Sequence, residues 1–226
     1  MTQKKYELLK NDTVTAPNGK TLYRIKALID FGVVVAGSLG GYIEKEDNLA
    51  HSGNAWASGN AWVFGNACVS DDAWVYGNAR VSGDARVYGN AWVFSNAEVF
   101  GNACVSDDAW VYGNARVYGN ARVSDNARVS DNARVSDNAR VSDNARVYSK
   151  KDLVWFSNVG TEYGTLTVFK TKEGKLFASR GCFKGTVDKF LAKSAEVHDE
   201  RIKREYRLLI EVAKSRLLGE SSVPTF

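Results

Sequence analysis

The chain has 226 residues, 44% hydrophobic and 25% charged, with a formal net charge of +4. That length suits one elongated domain or one main domain with small caps, and the apolar content excludes wholesale disorder. No 18-residue apolar run is present, so a transmembrane helix is excluded. The opening MTQKKYELLKNDT lacks the apolar core of a signal peptide, and three cysteines without a secretion signal point to reduced thiols in a cytosol.

Residues 1–52 carry a net charge of +1 and read as a small β-rich N-terminal cap. KYELL, TLYRIKAL and GVVVAG are predicted strands, and GSLGGYIEKEDNLAHSGNAW leads into the central segment of the chain. Such a cap is needed if that segment is a stack of strands, because an open end exposes strand edges and core.

Residues 53–148 are a repeat. Five of the six tryptophans lie between 56 and 110, and no Pro or Lys occurs between 53 and 148. Alanine recurs every six residues from Ala55 to Ala145, sixteen times without a gap. Two residues after each Ala stands Val, with Ala57 in the first slot, and each Ala follows Asn or Asp. The unit is [G/S/D]-[N/D]-A-x-V-x. A six-residue period fits neither 3.6 nor 7, which excludes a helix. In a strand, Ala and Val face one side and the x residues the other. Gly-Asn, Asp-Asn and Asp-Asp form turns through left-handed backbone. Short strands and corners of constant length predict a parallel β-helix.

The pattern V-x-x-x-A-x resembles the hexapeptide-repeat, left-handed β-helix superfamily. That resemblance implies three hexads per triangular coil, so sixteen hexads make about five coils. At about 4.8 Å per rung the prism is about 25 Å tall. A ladder of Ala and Val fills its interior, which sends any function to the outside or between subunits. The expected fold is mainly β, with the cap at 1–52, the β-helix at 53–148 and an α+β segment at 149–226.

An 18-residue coil sorts the outward residues. One face collects Trp56, Trp74, Tyr76, Trp92, Phe94, Trp110 and Tyr112 as a candidate binding surface, with Trp56 at its edge. Rings of this size bury about 150–250 Å² each, so the face exceeds the largest apolar patch a typical soluble monomer exposes. Three covers are open: the C-terminal helix, a second copy of the chain, or a partner such as a host protein, a glycan or a nucleotide-like ligand that stacks on aromatic platforms. The stretch VFGNACVSDDAWVYGNARV occurs at 63–81 and again at 99–117, two coils apart, which keeps the Trp column on one face.

From Ala121 the repeat becomes ARVSDN. Interleaved Arg and Asp read either as a self-neutralised spacer or as an anion-binding edge at Arg128, Arg134, Arg140 and Arg146. Glu98, between Arg80 and Arg116 on a second face, predicts a salt-bridged ladder. Cys68 and Cys104 share a third face but lie two coils apart, about 9.6 Å, beyond disulfide reach. The repeat holds 8 Arg against 10 acidic residues, a net of −2, so nucleic acid is not its expected partner.

Residues 149–226 carry +5. LVWFSNVG and TLTVFKTKEGKLFASRGCF predict an antiparallel sheet with KEGK as a hairpin turn. GTVDKFLAKSAEVH predicts a short helix capped by Thr186. DERIKREYRLLIEVAKSRLL predicts a longer one with an apolar stripe of Ile202, Tyr206, Leu209, Ile210, Ala213 and Leu217. About 19 residues span roughly 28 Å, the height of the prism, so this helix fits the aromatic face, a subunit interface or the terminal sheet.

The flanking motifs, Gly40 to Leu49 and Gly181 to Thr186, resemble uncharacterised phage and prophage proteins with hexapeptide repeats, implying a mobile-element origin. The superfamily includes acyltransferases and carbonic anhydrases. The anhydrases hold zinc with three His, and this chain has only His51 and His198. An acyltransferase needs a His base, for which His51 is the candidate, yet no loop interrupts the coils. The reading favoured by the sequence is a non-enzymatic binding or assembly protein of a bacterial host's cytoplasm, phage-encoded and directed against host defence, without metal or cofactor. By analogy with the superfamily it is a homo-oligomer, a trimer first. An acyltransferase using His51 and a purely structural spacer are the alternatives.

Overall fold

The Ala-x-Val alternation builds what it predicts. In the computed structural model, which describes residues 3–219, strands β1 (Tyr6–Thr15), β2 (Thr21–Ala27) and β3 (Leu39–Ile43) precede sixteen two-residue strands, β4 (Trp56–Ala57) to β19 (Arg146–Val147). The short strands stack in parallel with a constant offset of 18 residues, as in Trp74 beside Trp92 beside Trp110. They form three sheets. The chain is a β-solenoid of about six turns. The first face holds six rungs and the other two five of the repeat's own, because sixteen hexads begin and end on the first face.

The interior is dry and full. Every repeat Ala and Val is at most 1% exposed. Inner rungs are joined to the next through two strand amides and, at most corners, a third, for example Trp74 N to Ala91 O at 2.9 Å, Tyr76 N to Val93 O at 2.9 Å and Asn78 N to Ser95 O at 2.7 Å. The residue before Asn or Asp turns the corner in left-handed backbone, at φ between +53° and +74° whether Gly, Ser or Asp. At Gly83 (φ +70°) an added Cβ would lie 2.9 Å from the Gly101 amide of the next coil. Where Asp stands instead, its carboxylate can bind the next corner, as Asp125 accepts from the Asp143 amide at 3.2 Å. Ser124, Ser130, Ser136 and Ser142 each donate to the following Asp. The ARVSDN units therefore spend their aspartates on corners, not on arginines.

The N-terminal cap continues the stack. β3 pairs antiparallel with β2 but parallel with the second face, Tyr42 beside Trp62 and Ile43 beside Val63, and Leu49 bridges Val69 on the third. Side chains cap carbonyls whose counterparts in inner coils bind the coil below. Lys5 Nζ donates to Ala55 O at 2.9 Å and to Gly53 O at 3.3 Å, and Asn48 Nδ2 to Ala67 O at 2.8 Å and Gly65 O at 3.1 Å. This resolves the open-end problem group by group. GVVVAG is not a strand. Gly32 (φ +51°) and Gly37 (φ +89°) turn the chain at both ends, leaving Val33 and Val35 in solvent and only Val34 packed inward.

The far end is covered by an antiparallel meander, β20 (Leu153–Val159), β21 (Gly164–Lys170), β22 (Leu176–Arg180) and β23 (Phe183–Thr186). Thr171 bridges Ala145, Arg140 N donates to Thr167 Oγ1 at 3.0 Å, and Leu153 and Phe169 join the solenoid core. Helices α1 (Val187–Val197) and α2 (Glu200–Leu218) follow, with Thr186 and Asp199 as N-caps accepting from Lys189 N and Ile202 N. The buried stripe Ile202, Tyr206, Ile210, Ala213 and Leu217 packs with Val154, Leu166, Val168 and Ala178 of the terminal sheet. Of the three places open to α2, it takes the sheet.

The aromatic face as candidate functional site

The first face carries two columns of rings, one before and one after each inward Val. Behind Val, Tyr76, Phe94 and Tyr112 stack at centroid distances of 4.8 and 4.9 Å with planes within 2°. Ahead of Val, Trp92 and Trp110 stack at 5.4 Å and 11°. Edge contacts join the columns, Tyr76 to Trp92 at 5.9 Å and Phe94 to Trp110 at 6.1 Å. The ring spacing is the rung spacing: parallel stacking in register forces like side chains over one another. Burial pushes the Tyr76 phenol up from its ordinary pKa.

Neither helix covers this face, and none of the six rings is fully buried. Trp92, at the centre, is 38% exposed, and the other five are half-buried. Trp56 leaves the face. It is 2% exposed, edge-on to Phe31 at 5.3 Å and to Tyr6 at 6.3 Å, because the N-terminal cap folds over the first rung. The working surface is Trp74 to Tyr112.

At its C-terminal end the Trp column passes into arginine. The Arg128 guanidinium lies 4.4 Å above the Trp110 ring. Arg146 donates to Asn126 O at 3.0 Å and to Ala145 O at 2.9 Å. These two share a cleft of about 400 Å³ with Lys172, Asp108 and Glu173. The other two predicted edge residues lie elsewhere: Arg134 on the second face, by a cleft containing Lys150 and Trp155, and Arg140 on the third, donating to Gly181 O at 2.9 Å. The four arginines therefore do not form one edge.

On the second face the expected ladder is half made. Arg116 pairs with Glu98 at 3.0 Å, while Arg80 turns onto the Trp62 ring at 4.5 Å. A further stack on that face, Phe100 on Tyr118 at 5.0 Å and 2°, was not among the sequence expectations. The rule that found Tyr76 and Phe94, the residue after Val, also finds it. Cys68 and Cys104 are free thiols separated by the Arg86 rung. Burial pushes the Cys68 thiol up, partly offset by Arg86.

His51 belongs to the cap. It stacks on Tyr6 at 4.4 Å, its Nδ1 accepts from the Lys5 amide at 3.2 Å, and its Nε2 lies 3.6 Å from Glu46. Among the described residues no helix is long and apolar enough to cross a membrane.

Residues 73–89, 79–95, 109–125, 115–130, 121–137 and 127–141 match the family described as YdcK beta solenoid repeat. A comparison with curated proteins gives no match. The matched stretches include most of the aromatic columns and all but the last arginine rung. Sequence periodicity, stacked architecture and family similarity agree on a β-solenoid repeat protein.

Proposed function

We propose that the chain is a non-enzymatic assembly protein and that its aromatic face is a protein interface, occupied first by a second copy of the chain. The observation that carries this reading is the uncovered double column from Trp74 to Tyr112. Apart from Trp74, which packs toward the solenoid core, its rings stack on one another at 4.8–5.4 Å, so their faces are largely taken. A base or sugar needs an open ring face to stack on. A ribbed apolar wall with the pitch of a β-sheet instead complements a surface of equal pitch, and a second copy supplies one.

Charge supports the same pairing. Acidic corners stand beside the Trp column at both ends, Asp71 and Asp72 before Trp74 and Asp107 and Asp108 before Trp110, and Arg128 stands one rung beyond the second. Antiparallel apposition centred between the Trp92 and Trp110 rungs would set Arg128 of each copy beside the partner's Asp71 and Asp72 corner. The cap interactions of His51 support its assignment to structure, and its place away from the aromatic face favours binding over acyl transfer. The phage-like flanking motifs favour a mobile-element origin, and a host target in defence would then bind a surface left free by assembly. Sedimentation of the purified chain tests the interface: association that Trp92→Ser weakens supports it, and a monomer at all concentrations opposes it.

A further inference from the structure

A second site lies outside the solenoid, in the terminal segment. A cleft of about 420 Å³ opens between α1, the start of α2 and the β22–β23 turn. Its walls are mostly apolar and its floor aromatic. Phe190 meets Phe183 at 5.4 Å and Tyr206 at 4.9 Å, both edge-on, and the His198 ring meets Tyr206 at 5.5 Å. That volume and lining are typical of small-molecule sites, which combine apolar walls with a few convergent polar groups.

Three of the polar side chains here each keep one buried atom without a hydrogen-bond partner among the described residues. The Arg180 side chain is 11% exposed, and among the described residues its charge is answered only by Glu162 at 3.7 Å, itself 82% exposed. Nη2 donates to Val159 O at 3.1 Å, but the buried Nε has no partner. Ser194, 3% exposed, lines the same cleft with its hydroxyl unpartnered, as does His198 with Nδ1 buried and unpartnered. A buried guanidinium and buried donors left unsatisfied are destabilising unless something returns the missing hydrogen bonds. Arg offers a planar fork matched to a carboxylate. Lys193, also on the cleft, already pairs with Glu196 at 3.1 Å.

We propose that this cleft binds a small organic carboxylate with a flat apolar body. Its carboxylate pairs with Arg180 and accepts from Ser194, and its body lies against Phe183, Phe190 and Tyr206. This site is independent of the aromatic face of the solenoid. Phenylacetate and its neutral isostere phenylacetamide are the probes, titrated into the full chain by calorimetry and followed by amide chemical shifts. Saturable phenylacetate binding with shifts confined to the cleft, at residues 161–162, 180–183, 190–198 and 206, is expected. The amide should bind about tenfold or more weaker, as loss of a charged hydrogen bond implies. Arg180→Gln should weaken phenylacetate similarly, and Ser194→Ala to a smaller degree. Should Arg180→Gln fail to fold, the acid–amide comparison on the unaltered chain decides alone. Absence of phenylacetate binding, equal binding of acid and amide, or shifts outside the cleft would overturn the assignment.

Discussion

The two halves of the solenoid share an interior and differ outside. From Trp56 to Tyr118 the outward positions are rich in aromatic residues, and the corners are mostly Gly-Asn. From Arg122 to Arg146 every outward position ahead of Val is Arg and every corner is Asp-Asn. Both halves keep their Ala and Val ladders fully buried and the same 18-residue register. The backbone does not register the change. The interior and corner positions fix the fold, and the outward positions are free to carry a surface. The largest chemical difference between the halves, rings against guanidinium groups, is therefore a difference in what each half meets.

The strongest way to break this comparison is inside. Val93→Asp in the aromatic half and Val135→Asp in the arginine half each put an unpaired charge in a dry core. Each is expected to exceed the chain's whole margin of about 5–15 kcal/mol, abolishing cooperative thermal unfolding by circular dichroism. Survival of one but not the other would mean that the halves differ in more than their exteriors.

The corners give a smaller, asymmetric test. Gly83→Ala places a Cβ against the Gly101 amide at left-handed φ and should destabilise by about 1–3 kcal/mol in chemical denaturation. Asp125→Gly relieves the backbone but removes acceptors used by Ser124, Asp143 and Lys184. The two effects oppose, so the net change should fall below that of Gly83→Ala, within about 1 kcal/mol.

The N-terminal cap adds a pH dependence. Burial pushes the Lys5 amine down to about 8, against the attraction of Asp72. Between about pH 8 and 10 the unfolded chain holds the Lys5 proton and the folded chain releases it, so stability gains a contribution that grows with pH. Burial also pushes the Tyr6 phenol up, which opposes this above about pH 10. Melting curves at about pH 8 and 9.5 should show a relative gain for the natural chain that Lys5→Met lacks. Least affected of all should be Arg134→Ala, an exposed change with a stability effect within about 0.5 kcal/mol.

The repeat was legible in the sequence because every signal for it is local: six-residue Ala and Val, corner residues, and an 18-residue coil that assigns faces. The aromatic columns came from counting along that coil. What counting missed depends on contacts between distant segments. Trp56 holds the same repeat position as Trp74 and is buried because residues 1–52 fold back over it. Amphipathic spacing identified α2 but named no partner, since the wall and the terminal sheet offer similar apolar surfaces. Lys5 and Asn48 look like ordinary surface residues until the solenoid's first carbonyls are found beneath them. Arg180, Ser194 and His198 come from separate places in the terminal segment and carry no shared motif.

The central claim is that the aromatic half is an interface between copies. Sedimentation equilibrium of the natural chain beside a Trp92→Ser, Phe94→Ser double variant tests it most directly. The expected result is a concentration-dependent oligomer for the natural chain and a folded monomer for the variant, with unchanged circular dichroism. A natural chain that stays monomeric, or a variant that assembles as strongly as the natural chain, would contradict it.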